Sequence, residues 1–315
     1  MTTKIQFERP PDAKSLIPHL EYAASLGLSM VEKDSHKGQR ALICSTGPSI
    51  MDKKILKKVK KLSKNHVVFG LKETIPYLKE HKVNVKYTVS MDPGGGRQVA
   101  RTPIDPDVTY CLASSCNPQL YDHVLDGGCE IQVFHSACGE SAPDYEAGML
   151  VQAHATENVY GMAKGVFELK TLDDGFEFCP LIPTLITEIE LYGRLFDGKA
   201  DVMCGGFTVT NRALALAKYM GFSRVVMAGT DFGWRDEGGS HYSGLVHVSA
   251  NDDNYMTDQG IVDGTPWFTK PDQLASAADV AKKIKAKEVT VIGDSLAAAL
   301  AKRSTKFLDD IVKLQ

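Results

Sequence analysis

The chain has 315 residues, of which 43% are hydrophobic and 24% charged, enough apolar material for a sizeable core and too much for a disordered chain. Its formal net charge of -3 offers no positive excess, which argues against strong non-specific binding to nucleic acid. The length allows one large α/β domain with helical insertions, or a core plus a smaller appendage.

The first residues contain no apolar h-region, so no secretory signal is expected. No run of about 18 apolar residues predicts a membrane span. The seven cysteines, Cys44, Cys111, Cys116, Cys129, Cys138, Cys179 and Cys204, are scattered and form no CxxC pair. That pattern predicts reduced thiols acting as small buried hydrophobes in a cytoplasmic protein, not a disulfide framework or a structural zinc site.

In chain order, residues 1–40 read as an N-terminal helical extension, and residues 41–315 as one Rossmann-like domain. Short apolar runs at residues 41–45 (ALICS), 67–71 (VVFGL), 87–91 (YTVSM), 108–113 (VTYCLA), 130–135 (EIQVFH), 224–228 (RVVMA) and 288–292 (EVTVI) predict strands buried on both faces. Between them lie helical stripes. Residues 51–63 align Ile55, Leu56, Val59 and Leu62, and residues 208–220 align Val209, Ala213, Leu216, Ala217 and Met220. Alternating strands and helices predict a doubly wound α/β fold with a mainly parallel sheet. The strand signal fades over about 136–200, which reads as a helical insertion. Residues 234–270 read as a long, polar, glycine-bearing loop with Trp234 and Trp267 near its ends.

Three places carry chemistry. The turn Ser45-Thr46-Gly47-Pro48-Ser49 follows the first strand and precedes a helix, so its backbone can face an anion. Ser49 can equally serve as the helix cap, and a plain strand-to-helix turn accounts for the same residues. The stretch Ser90-Met91-Asp92-Pro93-Gly94-Gly95-Gly96-Arg97 puts an acid at a strand end, where open α/β sheets bind ligands. Asp92 can meet a ribose, a metal or an acceptor hydroxyl, and Arg97 a phosphate; an Asp-Pro-Gly turn is the plainer explanation.

The third place is the fullest. Gly205 and Gly206 precede a threonine-rich helix start at Thr208-Val209-Thr210-Asn211, a seat for a phosphate. The next strand delivers Asp231 to the same edge, and His241 follows in the loop Ser240-His241-Tyr242-Ser243-Gly244 as a general base or leaving-group acid. The lysines 53, 54, 57, 58, 60, 61 and 64 mark a solvated helix face, with a polyanionic acceptor as the minority reading. His135 is a weaker candidate, and no HxxxH or HExxH spacing suggests a metal site.

TGPSI after the first strand, VSMDP after a later one, and GGFTVTNRALALAKYMGFSRVVMAGTDFG before SHYSG together resemble the MptE-like family of 6-hydroxymethylpterin diphosphokinases and Maf motility accessory factors. The same ordered set is similar to bacterial lipooligosaccharide sialyltransferases, over roughly residues 41–245 with a gap across the insertion. The sialyltransferase resemblance implies His241 as general base and Gly47, Pro48 and Ser49 at the nucleotide. The diphosphokinase branch implies an Mg-ATP site with clustered acids of the DxDG kind. Here Asp92 is followed by Pro93 and Gly94, with no second carboxylate at that spacing.

The leading expectation is therefore a transferase, a glycosyltransferase in preference to a diphosphokinase, using a nucleotide sugar without an obligatory metal. Gly205, Gly206, Thr208, Asn211 and Ser49 would hold the donor, Asp92 and Asp231 would orient sugar hydroxyls, and the acceptor would bear a hydroxyl. The alternatives are an ATP-dependent diphosphokinase and a nucleotide-binding accessory protein without catalysis.

Overall fold

The computed structural model describes residues 13–136, 192, 195, 196, 201–203, 208–234, 258–262, 265–269 and 271–303. Eight strands among them form one sheet: β1 (Arg40–Cys44), β2 (Val67–Gly70), β3 (Tyr87–Ser90), β4 (Thr109–Ala113), β5 (Ile131–Ser136), β6 (Val202–Met203), β7 (Arg224–Ala228) and β10 (Val289–Ile292). Every neighbouring pair runs parallel, in the order β10-β7-β1-β2-β3-β4-β5-β6. Parallel strands covered on both faces need continuous apolar runs. Ala41, Leu42, Ile43 and Cys44 accordingly have no exposed surface. This is the doubly wound, Rossmann-like α/β fold.

The order has one consequence for function. From β1 the chain adds strands outward as far as β6, then returns to lay β7 on the other side of β1 and β10 beyond it. The direction of winding reverses between β1 and β7. In open α/β sheets the crevice outside the carboxyl ends of two such strands is where ligands bind.

Helices that follow strands start at this same carboxyl edge, and their caps are legible in the residues. Asp52 accepts hydrogen bonds from Lys54 N and Ile55 N to start α2 (Lys53–Leu62). Asn117 accepts from Gln119 N, with Pro118 in the first turn, to start α5 (Pro118–Asp126). Thr208 caps α6 (Val209–Tyr219), which lies across β1 and β3 on the return path. Ser49 is not the cap of α2. It sits in the short 3-10 turn Pro48–Met51, because Asp52 already meets the orphan N–H groups of the helix.

Within residues 1–40 the structure describes α1 (Ala13–Ser25), which packs on α5. Beyond it Met30 bridges Val133 of β5 in parallel, and His36 N donates to Met220 O (2.7 Å). The expected loop at 234–270 holds a two-stranded antiparallel hairpin, β8 (Asp258–Val262) and β9 (Thr265–Thr269), with Trp267 buried. α7 (Pro271–Lys285) then leads to β10, and α8 (Leu296–Leu300) follows it. The four described cysteines, Cys44, Cys111, Cys116 and Cys129, are buried thiols outside any disulfide. Among the described residues no helix is long and apolar enough to cross a membrane.

Candidate functional site

The loops after β1 and β7 are fastened to each other at the point where the winding reverses. Ser45 N donates to Ala228 O (2.9 Å), and Gly47 N donates to Gly229 O (2.8 Å). Ser49 donates twice to the Asp231 carboxylate, from its backbone N to Oδ2 (2.7 Å) and from Oγ to Oδ1. Ser45 Oγ and Thr210 Oγ1 share a hydrogen bond of 3.0 Å, which brings the first turn of α6 against the β1 turn. The loop after β10 closes the set: Ser295 Oγ donates to Thr230 O (2.7 Å), and Leu296 N to Asp231 O (2.8 Å).

Both glycines of this junction are required by the closeness of the loops. A Cβ on Gly47 would lie 2.4 Å from Gly229 O and 2.8 Å from the Asp231 carboxyl carbon. Gly229 has φ +65°, and a Cβ there would lie 2.3 Å from Ser45 O. The small residue at 47 was expected to leave the backbone open to a ligand; its Cβ position instead faces the neighbouring loop.

Asp231 is 5% exposed, and burial pushes its pKa up from the ordinary carboxylate value to about 6. The two hydrogen bonds from Ser49 oppose that rise, and the nearby charge of Asp294 adds to it. The sign follows from linkage. A carboxyl with a raised folded pKa holds its proton more tightly when folded, so its contribution is most favourable below the unfolded value and is lost as pH rises through about 6. The stability of the wild type relative to Asp231→Asn is therefore expected to fall by about 2–3 kcal/mol between pH 4 and pH 7. Urea unfolding of both proteins across that range measures it. Parallel curves would show that Asp231 ionises as freely in the fold as in the unfolded chain.

The remaining residues singled out from the sequence are distributed as follows. Pro48 opens the 3-10 turn beside Ser49. Thr208 Oγ1 donates to Asn211 Oδ1 (2.7 Å), and the Asn211 amide donates to Asp279 Oδ2 (3.0 Å) and Ser276 O (3.3 Å). Asn211 thus ties α6 to α7. Asp92 follows β3, three strands from β7 and so roughly 14 Å along the edge. There it accepts from Gly94 N (2.9 Å) and from Gln98 Nε2. The edge therefore gathers Gly47, Pro48, Ser49 and Asp231 in one place, and Asp92 in another. Gly205, Gly206, His241, the side chain of Arg97 and all but three residues of the 137–200 part of the expected insertion lie outside the described residues. His135, at the end of β5, is fully buried, bonded to Ser114 Oγ (2.9 Å) and stacked on Tyr192. All seven lysines from 53 to 64 are exposed.

No family model matches the chain, and no curated protein matches it. Among solved structures it is similar to the MAf glycosyltransferase from Magnetospirillum magneticum AMB-1, with a TM-score of 0.49 and 13% sequence identity. That likeness covers 95% of this chain and 42% of the other, so the chain spans less than half the length of that protein.

Two groups at the edge escape a reading of the sequence. Ser45 and Thr210 are common residues 165 positions apart, and only the fold pairs them. Lys72, just beyond β2, has a left-handed backbone (φ 49°), which is unusual for a side chain of its kind. Its Nζ donates to Gln98 Oε1 (2.9 Å), and so it joins the Asp92 cluster. A lysine directly after a buried strand is the signal that marks it, and it is faint among 36 lysines and arginines.

Proposed function

We propose that the chain is a nucleotide-dependent transferase that seats the phosphate of an activated donor in the crevice between β1 and β7. The favoured reaction is transfer of a sugar from a nucleotide sugar to an acceptor hydroxyl. The observation that carries this reading is the junction itself. A small-residue turn and the first turn of an 11-residue helix are held together at the reversal point by Ser45–Thr210, Gly47–Gly229 and Ser49–Asp231. A helix N-terminus so placed favours a phosphate. TGPSI and GTDF, two of the motifs that resemble sialyltransferases, fall on the loops of this junction.

In this reading Ser49 and Gly47 shape the donor side, with Gly205, Gly206 and Thr208 completing the phosphate seat. Asp231 keeps the β1 turn in position rather than reacting, since both its carboxylate oxygens are already engaged by Ser49. His241, ten positions after Asp231, is the general base. A diphosphokinase needs carboxylates that gather a metal between phosphates. Asp92 and Asp231 stand three strands apart and cannot share one.

The test is a thermal-shift series with CMP, UDP, GDP and ATP, each with Mg²⁺ or with EDTA. A nucleotide present at about 100 times its Kd adds about 2.7 kcal/mol of apparent stability, so binding is visible as a rise in Tm. The expected result is a rise with a subset of the pyrimidine or guanine nucleotides that persists in EDTA. A rise confined to ATP with Mg²⁺ would favour the diphosphokinase, and no rise with any nucleotide would remove the reading.

A further inference from the structure

The second polar cluster at the carboxyl edge stands apart from the junction. Lys72 follows β2, and the residue before it is tied to β1 by the bond from Leu71 N to Cys44 O (2.9 Å). Its half-buried side chain crosses to Gln98 in α4 (Gly96–Arg101), and Gln98 in turn donates to Asp92 beyond β3.

Lys72 carries three N–H donors, and one of them is used, on Gln98. Two carboxylates lie near enough to act on its charge, Asp92 and Glu73, yet neither forms an ion pair with it. Asp92 is occupied by Gln98 Nε2 and Gly94 N, and Glu73 pairs with Arg101. The chain thus holds a half-buried ammonium at a ligand-binding edge with two of its three N–H donors unused. Ser90 Oγ, at the end of β3, and Ser115 Oγ, just past β4, are buried along the same edge without a hydrogen-bond partner.

From this arrangement we infer that Lys72 and Gln98 form an anion-binding subsite for the phosphate or carboxylate group of a small-molecule ligand. The ligand takes the N–H donors of Lys72 that Gln98 leaves unused, with Gln98 holding the ammonium in place and Asp92 fixing the orientation of the Gln98 amide. Burial, aided by the charge of Arg101, holds the Lys72 pKa below that of a free lysine, while Asp92, Glu73 and Cys116 pull it back up. An arriving anion would restore the charge. Lys72 and Asp92 hang from β2 and β3, on the far side of β1 from β7, so the anion belongs to the second substrate and not to the donor phosphate. That last assignment rests on the transferase reading; the anion site itself does not.

Competitive labelling tests the subsite on the wild-type protein. Lysines are acetylated with a limiting amine-reactive ester, alone or with inorganic phosphate or acetate, and each site is followed by peptide mass spectrometry. At ten times its Kd the bound anion is expected to slow labelling of Lys72 about tenfold. The exposed Lys53, Lys57 and Lys60 on α2 should be unaffected. Whichever anion protects at the lower concentration names the group recognised. In a titration by calorimetry, Lys72→Met is expected to weaken that anion about tenfold or more, the contribution of one charge-assisted hydrogen bond. Protection of Lys72 by neither anion, or equal protection of the α2 lysines, overturns the subsite. Protection that persists although no nucleotide raises the Tm leaves the subsite standing and removes only its assignment to a second substrate.

Discussion

Replacing Gly229 with alanine is expected to lower the unfolding free energy by about 3 kcal/mol or more, and nucleotide binding with it. Two costs combine. An L-residue in the left-handed region costs roughly 1–2 kcal/mol, and Gly229 sits at φ +65°. The new Cβ would also lie 2.3 Å from Ser45 O and 3.0 Å from Ile50 Cβ. Ser45 O belongs to the backbone and cannot swing aside, and Ser45 N is bonded to Ala228 O in the same junction. Relief therefore requires β1 and β7 to part where the crevice opens. Gly27→Ala is the control, because Gly27 has φ +59° but nothing within 4 Å of its Cβ position. It carries the conformational cost alone. Urea unfolding of the two variants separates strain from collision, and equal losses would show that the loops are not locked. Gly47→Val belongs with Gly229→Ala for the same reason: its side chain would enter the space held by Gly229 O and the Asp231 carboxyl group.

Much of the sheet is legible in the residues because a buried parallel strand has to be apolar almost throughout. The runs at 41–45, 67–71, 87–91, 108–113, 130–135, 224–228 and 288–292 each fall within about one residue of a strand. β6 escapes because two residues, Val202–Met203, make no run. The hairpin of β8 and β9 escapes because DQGIV and TPWFT mix polar residues, glycine and proline, and antiparallel pairing needs no continuous apolar stretch.

The site is legible in pieces and not as an assembly. TGPSI and GTDF each announce a strand end, but the bonds that join Ser49 to Asp231 cross 182 positions. Strand order decides that these two ends meet and that Asp92 does not join them. Without that order, Asp92 and Asp231 look like equivalent acids on one edge. With it, Asp231 braces the β1 turn while Asp92 braces Gln98 under Lys72. Two carboxylates expected to do the same work, orienting sugar hydroxyls, are each committed to a neighbouring polar side chain.

His241→Ala carries the largest expected effect on turnover. A general base contributes about 10²- to 10⁴-fold to rate, so turnover should fall by that factor. Donor affinity should change little, because proton removal from the acceptor is felt in the transition state and not in donor binding. The expectation stems from the glycine- and serine-rich sequence around His241, ten positions beyond Asp231. It stems also from the HYSG motif that resembles the sialyltransferases. His247→Ala, six positions further on, should cost far less. Two measurements on each variant decide the matter, turnover at saturating donor and the Tm shift given by the nucleotide. A purely structural histidine predicts the reverse pattern, with a lower Tm and activity lost only in proportion to unfolded protein. Turnover equal to wild type in a folded His241→Ala protein would remove the base, and the transfer would then need another proton acceptor at the carboxyl edge.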